Sequence, residues 1–283
     1  MTASVVVVGS ANLDIILSIA RRPAAGETVL GQSIREMPGG KGVNQALSAA
    51  RITSTGFVGS VGRDSAGEQI EAALIGVGVN IDHVSRGEVP TGRAYVTLTP
   101  DGENSIIVMG LANNQLSPKD AVLALESARP HLVLTQLEVP EDVTTAVARW
   151  CRERSVRFVL NPSPAQAIAG NVSNADPLIV NHLEAQTILG IESGDHAALA
   201  RKLAGRFVSV VLTAGPNGAF IVRGDSLQHV PGERVPVVDT TGAGDAFAGT
   251  LAAHLALNTS LFDSAMLANH EAARLIQLPR EKR

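Results

Sequence analysis

Residues Asp239-Thr-Thr-Gly-Ala-Gly-Asp245 set two glycines, two hydroxyls and two carboxylates directly ahead of an apolar stretch that runs to Leu257. Glycines permit the tight turns that bring backbone N–H groups close to a ligand. The first turn of a helix adds unpaired donors and the positive end of a dipole. Gly242, Ala243 and Gly244 therefore predict a seat for a phosphate or for developing negative charge. The same helix end favours the anionic form of a carboxylate, which beside such a seat can take a proton from a hydroxyl attacking phosphorus. Asp245 is the candidate catalytic base. Two simpler readings compete. Asp is a common helix cap, and Gly-x-Gly also opens dinucleotide-binding turns. Here, however, Phe247 stands where that turn needs a third small residue, and the segment is not in a first βαβ unit.

Pro38-Gly-Gly-Lys-Gly-Val-Asn44 is a second glycine cluster ahead of a helical pattern. It lacks the Walker A spacing Gly-x-x-x-x-Gly-Lys-[Ser/Thr]. Gly39, Gly40, Lys41 and Asn44 suggest donors that meet hydroxyls, but alone they also fit a tight turn with a solvated lysine. Other candidates are weaker still on their own. Asn12 and Asp14 in Gly9-Ser-Ala-Asn-Leu-Asp14 read as a turn, and Glu138 as a carboxylate at a helix start. Asn181-His-Leu-Glu184 fits a capping box, and Thr213-Ala-Gly-Pro-Asn-Gly218 a strand-to-strand turn. His83, His131, His182, His196, His229, His254 and His270 show no metal-ligand spacing.

The elements that must position these residues alternate in type. Val5–Val8 is a short β-branched run, and similar runs occur at Thr55–Val58, Leu132–Thr135, Arg157–Leu160, Pro177–Val180 and Val208–Thr213. Such continuous apolar runs predict strands buried on both faces. Helical patterns lie between most of them, at Val43–Arg51, Ser65–Gly76, Pro118–Ala128, Pro140–Glu153, Leu183–Leu189 and Ala197–Gly205. Strand–helix alternation predicts an α/β fold with a mostly parallel sheet. A strand-like Val237-Val238 is expected to lead into Asp239. Two pairs break the rhythm as antiparallel ribbons: Leu13–Ile19 with Thr28–Ile34, and Arg93–Thr99 with Ser105–Met109, the latter joined by the turn Thr99-Pro-Asp-Gly102. They predict a small β lid over one end of the core, formed by about residues 13–35 and 91–110 of a single domain spanning 1–283. An edge hairpin used for packing or dimer contact is the alternative.

The two glycine motifs together resemble those of the ribokinase-like (PfkB) family of carbohydrate kinases, and the resemblance runs in order from about Val5 to about Asn269. It implies a three-layer sandwich with a β-sheet lid, and an ATP-dependent kinase acting on a primary hydroxyl of a small sugar. Ribose is the first choice; deoxyribose, fructose or a nucleoside such as pseudouridine are alternatives. By resemblance, Asn12, Asp14, Gly39, Gly40, Lys41, Asn44 and Glu138 would hold the sugar with Asp245. Asn181, Glu184, Thr213, Gly215, Gly218, Gly244 and Asn269 would serve the nucleotide. Glu184 would organise Mg²⁺ through water, and Asp239 with the Thr241 carbonyl would bind a monovalent cation such as K⁺. A homodimer through the lid is also implied.

The C-terminal stretch departs from the family pattern. A Thr-Arg-x-Gly-Ala-type loop is expected after Asn269, but the sequence runs His270-Glu-Ala-Ala-Arg274 and on to Arg283, with bulky charged residues in place of small ones. This implies a weaker adenine pocket, an incomplete cation site, or a helix that packs differently. Weak or absent K⁺ activation is expected, and a weakened sugar- or nucleotide-binding homologue is the rival reading.

Composition narrows the classes. The 283 residues are 45% hydrophobic and 18% charged with net charge −4. That predicts a globular protein without a general nucleic-acid surface. No apolar run reaches about 18 residues, so no membrane span is expected. The N-terminal residues lack a basic n-region, so a cytoplasmic location is expected. Cys151 is the single cysteine and reads as an inert structural thiol.

Overall fold

The computed structural model describes residues 3–100, 104–166, 168, 170–279 and 282. The strands are β1 (Val5–Val8), β2 (Asn12–Ile19), β3 (Gly31–Gly39), β4 (Thr55–Gly62), β5 (Asn80–Gly87), β6 (Gly92–Leu98), β7 (Asn104–Met109), β8 (Leu132–Thr135), β9 (Arg157–Leu160), β10 (Leu178–Asn181), β11 (Ser209–Thr213), β12 (Ala219–Arg223) and β13 (Ser226–Val230). The helices are α1 (Lys41–Ala50), α2 (Ser65–Gly76), α3 (Pro118–Ala128), α4 (Glu141–Arg154), α5 (His182–Leu189), α6 (His196–Ala204), α7 (Ala243–Ala256) and α8 (Leu261–Leu275).

Successive side chains of a strand point to opposite faces, so a strand covered on both sides is apolar throughout. That is how β1 reads: Val5 and Val7 enter one core, and Val6 and Val8 the other. The first core packs beneath α1, α2, α7 and α8, the second beneath α3, α4, α5 and α6. The result is a three-layer α/β/α sandwich around a sheet ordered β13-β12-β11-β10-β9-β8-β1-β4-β5. All pairings are parallel from β5 to β11, and β12 and β13 add antiparallel at the edge.

Strand order reverses at β1. The chain leaves it toward β4 and β5, then returns to its other side with β8 through β11. In open α/β sheets the crevice beyond the carboxyl ends at such a point is the natural ligand site. A second sheet, ordered β3-β2-β6-β7, rises from the same end. The two antiparallel ribbons are joined there by a parallel β2–β6 pairing, which aligns Asn12 with Gly92.

The observed strands differ from the sequence expectation in places. The second strand of the first ribbon is Gly31–Gly39, not Thr28–Ile34, so it delivers its end straight into the glycine cluster. Val237 and Val238 form no strand; both are exposed, and Val238 N–H donates to the Ile276 carbonyl at 2.8 Å. The turn expected at Thr99–Gly102 falls partly on Asp101 and Gly102, outside the described residues. Among the described residues no helix is long and apolar enough to cross a membrane.

Helix α7 is buried almost all round, as an apolar helix without a polar face must be. It lies against α1 so closely that a Cβ on Gly249 would stand 2.3 Å from the Gln45 carbonyl oxygen. Gly249→Ala should therefore destabilise the protein by about 1–3 kcal/mol through overpacking. An unchanged urea midpoint would refute the close approach.

Candidate active site

A cleft of about 300 Å³ opens at the reversal point. It is lined by Asn12 and Asp14 of β2, Gly40, Lys41 and Asn44 around the start of α1, Glu138 after β8, and Thr240, Thr241, Gly242 and Asp245. Ala94 and Val96 of β6 and Ile106 and Val108 of β7 cover it from the small sheet. A larger groove of about 670 Å³ lies beside α3 and α4, but its charged residues, Glu141, Asp142 and Arg149, sit along one helix and do not converge.

Gly242 ends the septet's turn with φ 78° and is the N-cap of α7, with no side-chain cap. The Ala243 N–H donates to the Thr240 carbonyl at 3.2 Å, and the first bond of the helix runs from Ala246 N–H to the Gly242 carbonyl at 2.9 Å. The amides of Gly244 and Asp245 precede that ladder, where a helix has no partner of its own for its donors. Asp245, only 8% exposed, sits in this first turn. Its Oδ2 accepts Asn44 Nδ2 at 3.2 Å and its Oδ1 accepts Gln45 Nε2 at 2.9 Å. One α1 turn thus supplies both donors.

The other wall is built on close backbone approaches. Gly40 caps α1 at φ 88°, and a Cβ on Gly39 would meet the Asp14 carboxylate at 2.3 Å. Ser10, just beyond β1, donates its hydroxyl to Glu138 Oε2 at 2.5 Å, and the Lys41 N–H donates to the same oxygen at 3.1 Å. Asn12 Oδ1 accepts Asn113 Nδ2 at 2.7 Å. Burial alone would lower the Lys41 pKa, but the Asp245, Glu138 and Glu184 carboxylates outweigh it and hold the ammonium above its ordinary value. Burial pushes Glu138 up, and the Ser10 hydrogen bond and Lys41 only partly offset it.

The remaining predicted residues lie outside the cleft lining. Asn181 and Thr213 are register partners at the ends of β10 and β11. Asn181 and Glu184 form a reciprocal capping box, with Asn181 N–H on Glu184 Oε2 at 2.8 Å and Glu184 N–H on Asn181 Oδ1 at 2.9 Å. Gly215 and Gly218 shape the β11–β12 turn with φ 53° and 83°. Asn269 Nδ2 donates to the Pro231 carbonyl at 3.1 Å. Asp239 Oδ1 accepts the Thr241 N–H at 2.8 Å. No group of three or more His, Cys, Asp or Glu side chains among the described residues forms a metal cage. A magnesium ion that keeps most of its water needs none, and a single buried carboxylate such as Glu184 fits that demand.

Residues 2–280 match the model of the pfkB family carbohydrate kinases. The chain belongs to that family. It is 36% identical over 274 residues to the ribokinase of Bacillus subtilis (strain 168), covering 95% of this chain and 92% of that protein. It is 32% identical over 259 residues to the deoxyribokinase of Salmonella typhi, covering 88% and 84%. The structure of Arabidopsis thaliana ribokinase complexed with ribose and ATP superimposes with a TM-score of 0.87 at 30% identity, covering 98% of this chain and 94% of that one. The ribokinase-like fold expected from the motifs is the one observed.

Family motifs did not point to Ser10, Gln45, Asn113, Gln136 or Asn161, all of which touch the cleft residues or their partners. Burial pushes the Cys151 thiol up to about 12, in keeping with an inert thiol. Glu138 carries a testable consequence. A carboxyl held above its ordinary value of 4.5 favours the fold most when protonated, and that contribution is lost as pH rises through the folded value. Lys41, held above 10.5, changes nothing below that pH. Glu138→Gln should therefore gain stability relative to the parent between about pH 4 and about pH 8. Urea unfolding at both pH values checks this; a constant difference, or one moving the other way, excludes it.

Proposed function

We propose that this protein transfers the γ-phosphoryl group of MgATP to a primary hydroxyl of a small sugar, first of all O5 of D-ribose. The observation that carries this reading is Asp245, a buried carboxylate at the uncapped start of α7 and on the wall of a polar cleft. Asp245 would accept the proton of the attacking hydroxyl. The amides of Gly242 and Gly244, and that of Ala243 once its bond to Thr240 loosens, would face the charge on the transferring phosphoryl. Asn12, Asp14, Gly39, Gly40, Lys41, Asn44 and Glu138 would hold the sugar's other hydroxyls. Asn181, Glu184, Thr213, Gly215, Gly218 and Asn269 would border the nucleotide, with Glu184 reaching Mg²⁺ through water. Magnesium would supply positive charge to the phosphates. The ribose choice rests on the ribokinase relatives; 2-deoxyribose is the second reading, favoured by the Salmonella typhi deoxyribokinase.

On this reading the whole chain acts as one kinase domain in the cytoplasm, and the sheet β3-β2-β6-β7 is its lid, closing over the sugar to exclude water. The lid's two faces differ. Val96, Ile106 and Val108 line the cleft, while Tyr95, Ile107 and Met109 alternate with them on the other face; all but Val96 are exposed. An exposed apolar face of this kind suits a homodimer contact; light scattering should give twice the chain mass, and a monomer at micromolar concentration would exclude it.

The monovalent cation is a separate matter. Asp239 is tied to the Thr241 amide, and the amides of Val238 and Asp239 are tied to the Ile276 carbonyl, so the chain itself braces this loop. In an ADP-release assay over ribose, deoxyribose, fructose and pseudouridine, ribose should give the highest kcat/KM, and exchanging Na⁺ for K⁺ should change the rate little. Asp245→Asn should lower kcat by about 10²–10⁴-fold while sugar binding persists. Turnover near the parent rate in that variant would overturn the assignment.

A further inference from the structure

Gln45 has no role in the reading above, yet it makes the shorter of the two amide contacts to Asp245. Its Nε2 donates to Asp245 Oδ1 at 2.9 Å and to Asn161 Oδ1 at 3.0 Å, and its Oε1 accepts Gln136 Nε2 at 2.6 Å. Gln45 and Gln136 are fully buried. The orientation of each amide follows from one backbone group. Asn161 Nδ2 donates to the Ile179 carbonyl at 3.0 Å, which leaves Asn161 Oδ1 facing Gln45 as an acceptor. Only the nitrogen of Gln45 can satisfy two acceptor oxygens at once, so its oxygen must turn to the donor end of Gln136.

This arrangement is a demanding way to fill a core. Gln136 Oε1 is left without a partner among the described residues, and a buried acceptor without a donor is unfavourable, whereas apolar side chains of like shape would pack there without that penalty. What the amides do achieve is to make the two oxygens of Asp245 unequal. Oδ1 is held from the buried side by Gln45, while Oδ2 meets Asn44, whose side chain belongs to the cleft wall.

We propose that Gln45 is a positioning residue: by binding Oδ1 from behind, it turns the Asp245 carboxylate so that Oδ2 is the oxygen that receives the proton. The inference rests on the proposed kinase reading. In the step it serves, the acceptor's O–H bond breaks and an O–H bond to Oδ2 forms. The freed oxygen pair bonds to the γ-phosphorus while the bond to the departing ADP oxygen breaks. Lys41 and Glu138 also act on Asp245 by charge and stay in place in every variant below.

The test compares Gln45→Leu, Gln45→Glu and Asp245→Asn by steady-state kinetics across pH. Gln45→Leu should lower kcat by at least about tenfold, with KM for sugar and ATP changed by no more than about threefold. The acidic limb of its kcat profile should move to higher pH, because a carboxylate that loses a donor is easier to protonate. The near-isosteric Gln45→Glu, which keeps the volume and sets a second carboxyl against Oδ1, should move that limb further. A kcat and an acidic limb matching the parent in Gln45→Leu overturn the proposal. If the leucine variant does not fold, an unshifted limb in Gln45→Glu overturns it alone. Parent-like turnover by Asp245→Asn removes Asp245 as the base and this inference together, while a parent that releases no ADP with any sugar removes the kinase reading. An inactive Asp245→Asn beside a parent-like Gln45→Leu removes only the inference.

Discussion

The approach of two helix backbones, α1 against α7, is the constraint on which the cleft depends. No side chain fits at Gly249, because the Gln45 carbonyl occupies the space. Both helices begin at the same end of the sheet, each behind a glycine with positive φ, Gly40 and Gly242. Pressed together, they bring Asn44 and Gln45 of one helix onto Asp245 of the other. A bulkier contact would separate the helices and withdraw both amides from the carboxylate. The glycine under the crossing and the glycines at the helix starts therefore serve one geometry.

Charge in the cleft is organised by the same crowding. Glu138 is raised by burial although Lys41 stands nearby, and Lys41 is raised although burial opposes it. The two directions agree once the number of carboxylates is considered. Lys41 is pulled by Asp245, Glu138 and Glu184 together, while Glu138 has a single cation to offset its burial and the repulsion of Asp245. The site is thus richer in negative than positive groups on the β2 and β8 side, which suits hydroxyl donors. The amides at the start of α1 are partly taken by Glu138 and Ser10, whereas those of Gly244 and Asp245 precede the ladder of α7. On the proposed reading, sugar and phosphoryl chemistry would be separated by which groups line each end of one cleft.

The sequence made the sandwich legible because β1, β8, β9, β10 and β11 are short apolar runs that both cores demand. β5 escaped notice for the opposite reason: Asn80–Gly87 is a polar edge strand, exposed on one side, with no buried pattern to betray it. The parallel β2–β6 pairing was also invisible, since it joins residues about 80 positions apart whose local signals are those of separate ribbons. Asp245 and Lys41 could be read because glycine motifs announce them. Gln45 directly follows the Pro38–Asn44 cluster and Gln136 directly follows the Leu132–Thr135 run, each without a signal of its own. A buried glutamine differs from a solvated one only in its neighbours, here supplied by three distant stretches of chain.

The unusual residues of α8 illustrate the same limit. His270, Glu271 and Arg274 look bulky beside the small residues expected, which invites the idea of a helix displaced from its place. Arg274 and Arg51 pair with the half-buried Glu271 at 2.7 and 3.6 Å, and His270 meets Glu233 at 3.0 Å on exposed surface. Ala265 and Ala268 enter the core that α7 also fills. The helix therefore packs by its small residues and carries its charges outward. Its last turn then does structural service: the Ile276 carbonyl accepts the amides of both Val238 and Asp239, at 2.8 and 3.2 Å. Residues that look foreign to the motif thus belong to the helix that holds the septet's first aspartate where the turn into α7 begins.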